Sequence, residues 1–208
     1  MHNFAFDNEY RKQGFVYIVG IDEAGRGPLA GPVVAAAVIL PPAFYDERIT
    51  DSKKISKETL TELALLIKEN ALSYALGFVD APMIDEINIL NATKLAMLNA
   101  LESLTHEYDI VLLDAVKLSG LKKKSEAIVK GDEKSFSIAA SSILAKVARD
   151  EYMDELHLKY PHYAFNEHKG YPTKKHLQLL EIYGPLDEIH RFSYKPVKNA
   201  KYRQIKLF

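Results

Sequence analysis

Cysteine is absent from the 208-residue chain. That excludes disulfides, thiolate zinc sites, iron–sulfur clusters and a cysteine nucleophile, and it suits a reducing compartment. The first ten residues have neither the basic start nor the apolar core of a secretory signal. The longest apolar run, Pro32–Ala43, is too short for a bilayer, which needs about 20 residues. A cytoplasmic protein with no membrane partner is expected. An excess of either charge is also missing: 27 Lys and Arg stand against 28 Asp and Glu, a net charge of −1. Composition alone therefore does not announce a nucleic-acid binder, and the placement of charge has to carry that question. Repeats, low-complexity runs and long linkers are missing as well.

What is present describes an ordinary globular protein. At about 150 residues per domain, this length gives one domain with an appendage. A chain of this size buries a core without staples. The reading is a single domain over residues 1–208, with a core of about 14–160 and a basic helical C-terminal extension of about 161–208. Residues 189–208 hold six basic side chains (Arg191, Lys195, Lys198, Lys201, Arg203, Lys206) and no acid. Residues 117–134 hold six lysines against Glu126, Asp132 and Glu133. Each tract alone reads as a solvated surface, and together they outline a phosphate-binding face.

Hydrophobic patterning predicts strands at 15–22, 32–40, 73–80, 109–115 and, more weakly, 127–130. Helices are predicted from Ser56 to about Asn70 and over 81–104, 137–158 and 173–183, the last ended by Gly184-Pro185. The fold class that follows is α/β, a mixed five-stranded sheet flanked by helices.

Two predicted strands close on acids, Asp22-Glu23 and Asp114, and Asp132 follows the weak fifth strand. Acids after strands are commonly turn and cap residues, and Asp132 could cap the next helix. In open α/β sheets, however, sites form beyond the carboxyl ends of strands. Were these strands parallel neighbours, Asp22, Glu23, Asp114 and Asp132 would converge. Carboxylates crowded together repel one another, and a hard divalent cation resolves this. Oxygen ligands without His or Cys favour Mg²⁺ or Mn²⁺. Two such ions about 4 Å apart are a standard device for in-line attack on a phosphodiester. Asp22 and Glu23 are adjacent, so both reach one site only if the backbone turns there, and Gly25 and Gly27 are read as supplying that turn. Arg26 between them could meet a phosphate. The third glycine of a dinucleotide fingerprint is lacking, and so is a phosphate loop, which rejects NAD and argues against a small-molecule phosphotransferase.

The stretch Gly20-Ile-Asp-Glu-Ala-Gly-Arg-Gly-Pro-Leu-Ala-Gly-Pro-Val33 closely resembles the opening motif of the ribonuclease HII family. Further blocks follow in that family's order: Asp51-Ser-Lys-Lys54, Asn88-Ile-Leu-Asn-Ala-Thr93, Leu113-Asp114, Val129-Lys-Gly-Asp132, Ser137–Asp150, His168-Lys-Gly-Tyr-Pro-Thr173 and His190–Val197. The resemblance spans about 14–200. It implies an endonuclease with a ribonuclease H-like fold that cuts the RNA strand of RNA–DNA hybrids. It also implies cutting 5′ of single ribonucleotides embedded in duplex DNA, as in ribonucleotide excision repair and RNA primer removal. The implied products are a 3′-OH and a 5′-phosphate, made with two Mg²⁺ or Mn²⁺ ions.

By the same resemblance, Asp22, Glu23, Asp114 and Asp132 are the catalytic and metal-site acids. Gly25, Arg26 and Gly27 read the ribose 2′-OH, and Tyr171 stacks on the neighbouring sugar. Lys53, Lys54, Ser142 and Lys146 lie along backbone phosphates. His168 either touches a phosphate or orders its loop. The chain departs from the family at Ala115, where glycine usually follows the third acid, and at Ser141.

The other histidines lack ligand spacing and read as surface groups or supports, and Asp150 reads as paired with a basic neighbour. The tail Gln204-Ile-Lys-Leu-Phe208 resembles a short sliding-clamp peptide, against the simpler reading of a frayed terminus. A monomer is expected. Two alternatives share the acids: another nuclease of the same fold, with no need of a 2′-OH or Tyr171, and a non-catalytic nucleic-acid-binding module.

Overall fold

The structure, a computed structural model, describes the backbone of residues 2–205 and the side chains of residues 3–53 and 55–200. Its strands are β1 (Ile18–Ala24), β2 (Val33–Ile39), β3 (Ser73–Val79), β4 (Ile110–Asp114) and β5 (Lys124–Ile128). Its helices are α1 (His2–Lys12), α2 (Lys57–Asn70), α3 (Ala81–Glu102), α4 (Gly131–Lys134), α5 (Phe136–Lys159), α6 (Phe165–His168), α7 (Lys174–Tyr183) and α8 (Lys195–Ile205). The strands form one sheet in the order β3-β2-β1-β4-β5. The pairs β3–β2 and β2–β1 are antiparallel, whereas β1–β4 and β4–β5 are parallel. This is the expected mixed five-stranded sheet with helices on both faces.

Alternation along the strands divides the core. The odd-numbered Val19, Ile21, Val33, Ala35, Ala37, Val111 and Leu113 pack with Ala92, Ala96, Met97 and Ala100 of α3. The even-numbered Ala36 and Val38 pack with Leu63 and Ile67 of α2 and with Ala139, Ala140 and Ile143 of α5. Ile18, Ile110 and Leu112 face Ile138 of α5. With both faces covered, β2 reads as a continuous apolar run, fully buried along its length. Ser56 caps α2 and Thr173 caps α7, each through its hydroxyl, as the sequence indicates.

Four features depart from expectation. The N-terminal helix α1 lacks an aliphatic stripe; it is anchored instead by Asp7, whose carboxylate accepts from Ser135 Oγ (2.7 Å), Ser137 N (2.9 Å) and Ser137 Oγ (2.7 Å) at the start of α5. Strand β5 starts three residues and ends two residues earlier than predicted, because this edge strand is partly exposed and carries little apolar signal. Helix α3 is interrupted at Asn88 (φ 67°), whose side chain accepts from the amides of Leu90 and Asn91 and so caps the second segment. Finally, the described part of the extension is not wholly solvated, although Lys195 and Lys198 are exposed. Arg191 is fully buried, and Val197 and Ala200 of α8 pack against Leu29 and Leu180.

Candidate functional site

The parallel pairing of β1 and β4 ends at Ile21 beside Leu113. One further step of that register sets Asp22 beside Asp114. Both continue the even-numbered face toward α5, with Ile18 and Ile110 two steps of the pleat below. Gly131 opens α4 just beyond β5, and its amide donates to Asp114 Oδ1 at 2.6 Å. Asp132 follows, nearly buried. It does not cap the long helix; Ser135 does. One oxygen from each of Asp22, Asp114 and Asp132 falls within 4.8 Å of the others.

Glu23 borders the same cleft, though it stands outside this trio among the described residues. The backbone turn falls at Gly25–Gly27, as read from the sequence, and not between the two acids themselves. β1 stays paired with β2 as far as Ala24 and turns only at Gly25. Both acids still reach the cleft because it lies off the end of the strand, where both faces are open. Glu23 Oε1 accepts from Arg26 Nη1 at 3.2 Å, while its Oε2 is buried and accepts nothing.

Crowding sets the electrostatics. Burial pushes the Asp22 carboxyl well above the usual carboxylate range, and the charges of Glu23, Asp114 and Asp132 push it further. Burial also raises Glu23, against the pull of Arg26. Asp114 is raised by burial and by Asp132, against the Gly131 amide. Lys53 Nζ sits on Asp132 Oδ2 at 2.9 Å and offsets part of this charge. An orphaned buried oxygen beside three converging carboxylates is a donor set for hard divalent cations, and among the described residues no histidine or cysteine joins the group.

An open cleft of about 510 Å³ lies over Asp22, Glu23 and Asp114, lined also by Gly25, Arg26, Gly27, Lys53, Ser142, Lys146 and Tyr171. Gly25 and Gly27 play different parts. Gly25 has φ +98°, and a β-carbon there would lie 2.1 Å from Arg149 Nε. A β-carbon on Gly27 would meet only the Tyr171 ring, at 3.7 Å, an ordinary contact. The protein's own packing therefore requires glycine at 25, while at 27 it leaves room for a side chain.

The sequence of this chain matches the ribonuclease HII family over residues 19–197. The chain belongs to the ribonuclease HII family. Ribonuclease H endonuclease activity comes with that membership. Among its family relatives, ribonuclease HII of Oceanobacillus iheyensis is 52% identical over 198 residues, covering 95% of this chain and 75% of that one. The ribonuclease H2 structure from Pyrococcus horikoshii shares the fold at TM-score 0.76 and 24% identity, covering 91% of this chain and 99% of that one. The ribonuclease HII of Archaeoglobus fulgidus, solved as a complex with PCNA, aligns at TM-score 0.65 and 26% identity, covering 92% of this chain and all of that one.

The structure gives several of the expected substrate-contacting residues partners within the protein. His168 does not face the cleft. It is buried, with Nε2 on the Tyr163 carbonyl oxygen (2.7 Å) and Nδ1 accepting from Gly170 N (3.1 Å), so it orders the loop. Lys53 Nζ bonds Asp132 while its side chain stays largely exposed at the cleft. Lys146 pairs with Asp150 at 2.8 Å, one helical turn away, and Ser142 Oγ shares a hydrogen bond with Ser52 Oγ (2.7 Å) at the cleft wall. The Lys54 side chain and Lys206–Phe208 of the clamp-like tail lie outside the described residues.

Two supports were missed. Arg149, on α5, donates to the carbonyl oxygens of Pro32, Ala30 and Lys169 at 3.0–3.1 Å. Arg191 holds those of Gly25, Arg26 and Gly31. Neither has a carboxylate partner in these bonds, so charge pairing in the sequence could not flag them. Their position inside apolar-flanked motifs was the only signal.

Proposed function

We propose that this enzyme cuts the RNA strand of RNA–DNA hybrids and cuts 5′ of a single ribonucleotide embedded in duplex DNA, leaving a 3′-OH and a 5′-phosphate. Such an activity serves ribonucleotide excision repair and RNA primer removal. The observation that carries the reading is the placement of three converging aspartates and Glu23 beside the Gly25–Gly27 loop, with the Tyr171 ring over Gly27.

In this reading Asp22, Glu23, Asp114 and Asp132 hold two Mg²⁺ or Mn²⁺ ions. When bound, these supply the Lewis acidity and charge that in-line hydrolysis of a phosphodiester requires. The chain's own residues do the selecting. The bare backbone at 25–27 lets amides and carbonyls approach a ribose 2′-OH, the group that separates RNA from DNA. The Tyr171 ring, 41% exposed, packs against the adjoining deoxyribose. Arg26, Ser142 and Lys146 line the path of the strand's phosphates, and Lys53 pairs with Asp132 beside them. The extension from about 161 to 208 belongs to the same domain, because Tyr171 and Arg191 both come from it. The chain acts as a monomer in the cytoplasm. Its tail, similar to a clamp-binding peptide, makes a weak sliding-clamp contact; the Archaeoglobus fulgidus relative was solved with PCNA.

The test is cleavage of a labelled DNA duplex carrying one ribonucleotide, with Mg²⁺, Mn²⁺ or EDTA. One metal-dependent cut on the 5′ side is expected. Cutting only a continuous hybrid would remove the role given to Tyr171. Metal-independent binding without cutting on either substrate would sink the reading.

A further inference from the structure

Three histidines separated in sequence meet in the interior behind Tyr171. His168 and His176 stack with ring centres 4.2 Å apart and planes 10° from parallel, and His176 Nε2 lies 3.2 Å from His190 Nε2. Their remaining nitrogens are all engaged. His190 Nδ1 accepts from the Leu186 amide at 2.9 Å. That places the proton of His190 on Nε2, from which it is donated to His176 Nε2. His176 must then carry its own proton on Nδ1, 3.0 Å from the Tyr171 carbonyl oxygen. His168 accepts on Nδ1 from Gly170 and donates from Nε2 to Tyr163. Each ring is neutral and held in one tautomer by the bond at its other nitrogen.

The chain of bonds ends at the cleft. It fixes the main chain on both sides of the Tyr171 ring: Gly170 through His168, and the Tyr171 carbonyl through His176. The ring itself is exposed over Gly27, and Arg149 lies 5.7 Å from its centre. A ring this open has little packing of its own to orient it, so its direction is set by its backbone.

We propose that the His190–His176 relay is a positioning device for Tyr171, aiming the ring at the sugar beside the scissile phosphate. This deepens the proposed function and rests on the sugar-sensing role of Tyr171 given there. Burial supports the neutral relay, holding His176 at about 4 and His190 at about 3. A metal role for the cluster is disfavoured, since every ring nitrogen already has a partner.

The first test uses the unaltered protein with labelled imidazoles. NMR should find His176 protonated on Nδ1 and His168 and His190 on Nε2. A His176 ring protonated on Nε2 overturns the relay. The second uses two variants. Asparagine puts an amide donor where Nδ1–H stands; glutamine puts its amide toward His190 and leaves the Tyr171 carbonyl unserved. His176→Gln should lower kcat/KM on the single-ribonucleotide duplex, relative to a continuous hybrid, by about tenfold, the scale of a small misplacement. His176→Asn should restore most of that ratio. His176→Gln combined with Tyr171→Ala should lose no more than Tyr171→Ala alone. If Tyr171→Ala lowers the ratio while folded His176→Gln leaves it unchanged, the positioning role is wrong. If Tyr171→Ala leaves the ratio unchanged and the tautomers are as stated, the anchor stands and the sensing role of Tyr171 falls.

Discussion

Arg191 Nη2 donates to the carbonyl oxygen of Gly25 at 2.7 Å, joining the C-terminal extension to the glycine loop across 166 positions of sequence. The same guanidinium also reaches the carbonyl oxygens of Gly31 (2.8 Å) and Arg26 (3.1 Å). A planar fork with several donors can hold three carbonyls at once; an ammonium cannot match that geometry. Arg191→Lys is therefore expected to cost about 2–3 kcal/mol, the worth of one or two bonds to a charged donor. Urea unfolding would check it. Cleavage should fall further than the loss of folded protein explains. Equal midpoints and equal cleavage would remove the clamp from the account of the site.

The metal-free site carries the repulsion of its own carboxylates. Asp22→Asn keeps the oxygen that accepts from Glu23 N at 2.7 Å but removes a buried charge held unfavourably by burial and by Glu23, Asp114 and Asp132. In EDTA the variant should melt above the native protein. Mg²⁺ should raise the native melting temperature and leave the variant's nearly unmoved. Activity should be largely lost while hybrid binding persists. A variant that melts lower in EDTA would contradict the electrostatic argument.

The two loop glycines should separate folding from function. Gly25→Ala meets both a left-handed backbone and Arg149, so it should destabilise by more than about 1 kcal/mol. Gly27→Ala has room, so its melting curve should overlay the native one while KM for ribonucleotide-containing duplex rises. Matched melting with unchanged KM would mean that nothing approaches Gly27 closely.

Much of this site is legible in the sequence, for a physical reason. Apolar β-branched strands that end on acids announce both the sheet and its functional edge, and Ser56 and Thr173 announce their helices. What stayed hidden depends on contacts between distant residues. Arg191 reads as one more cation in a basic tract, because its partners are carbonyls that carry no sequence signature. His168 reads as a loop or phosphate residue and His176 and His190 as surface groups or supports, with nothing to link the three, because only the fold stacks them. The charged edge strand β5 and the aromatic helix α1 lack the apolar period that marks the others.

Ala115 illustrates a position read correctly as unusual and explained only by the structure. It follows Asp114 in the left-handed region, with φ +49°, and its amide donates to the Ile128 carbonyl oxygen at 3.0 Å. A β-carbon there is strained, where glycine is not. Ala115→Gly should stabilise by about 1 kcal/mol, with cleavage retained because the Asp114 carboxylate is unchanged. Chemical denaturation decides the sign, and a less stable variant would show that the turn tolerates the methyl.

The histidine relay also fixes how stability responds to acid. An unfolded imidazole titrates near 6.5, whereas the folded values of His176 and His190 are about 4 and about 3. Between those limits the unfolded chain binds more protons, so stability falls as pH falls. The contribution is complete above about pH 6.5 and is lost progressively toward pH 4 and below. Glu167 and Lys175, the charged groups that reach the cluster, pair with each other at 2.6 Å. The carboxyls of Asp7 and Asp22, which are buried, and of Glu23 and Asp114, which are partly buried, are raised and act in the opposite direction. A comparison with His190→Gln cancels them. At pH 7 the variant should be less stable, having lost the acceptor for the Leu186 amide. Each unit of pKa displacement is worth about 1.4 kcal/mol, so this gap should narrow by a few kcal/mol by about pH 4.5, or reverse. A gap that stays constant from pH 7 to 4.5 would mean that His190 does not titrate low in the fold.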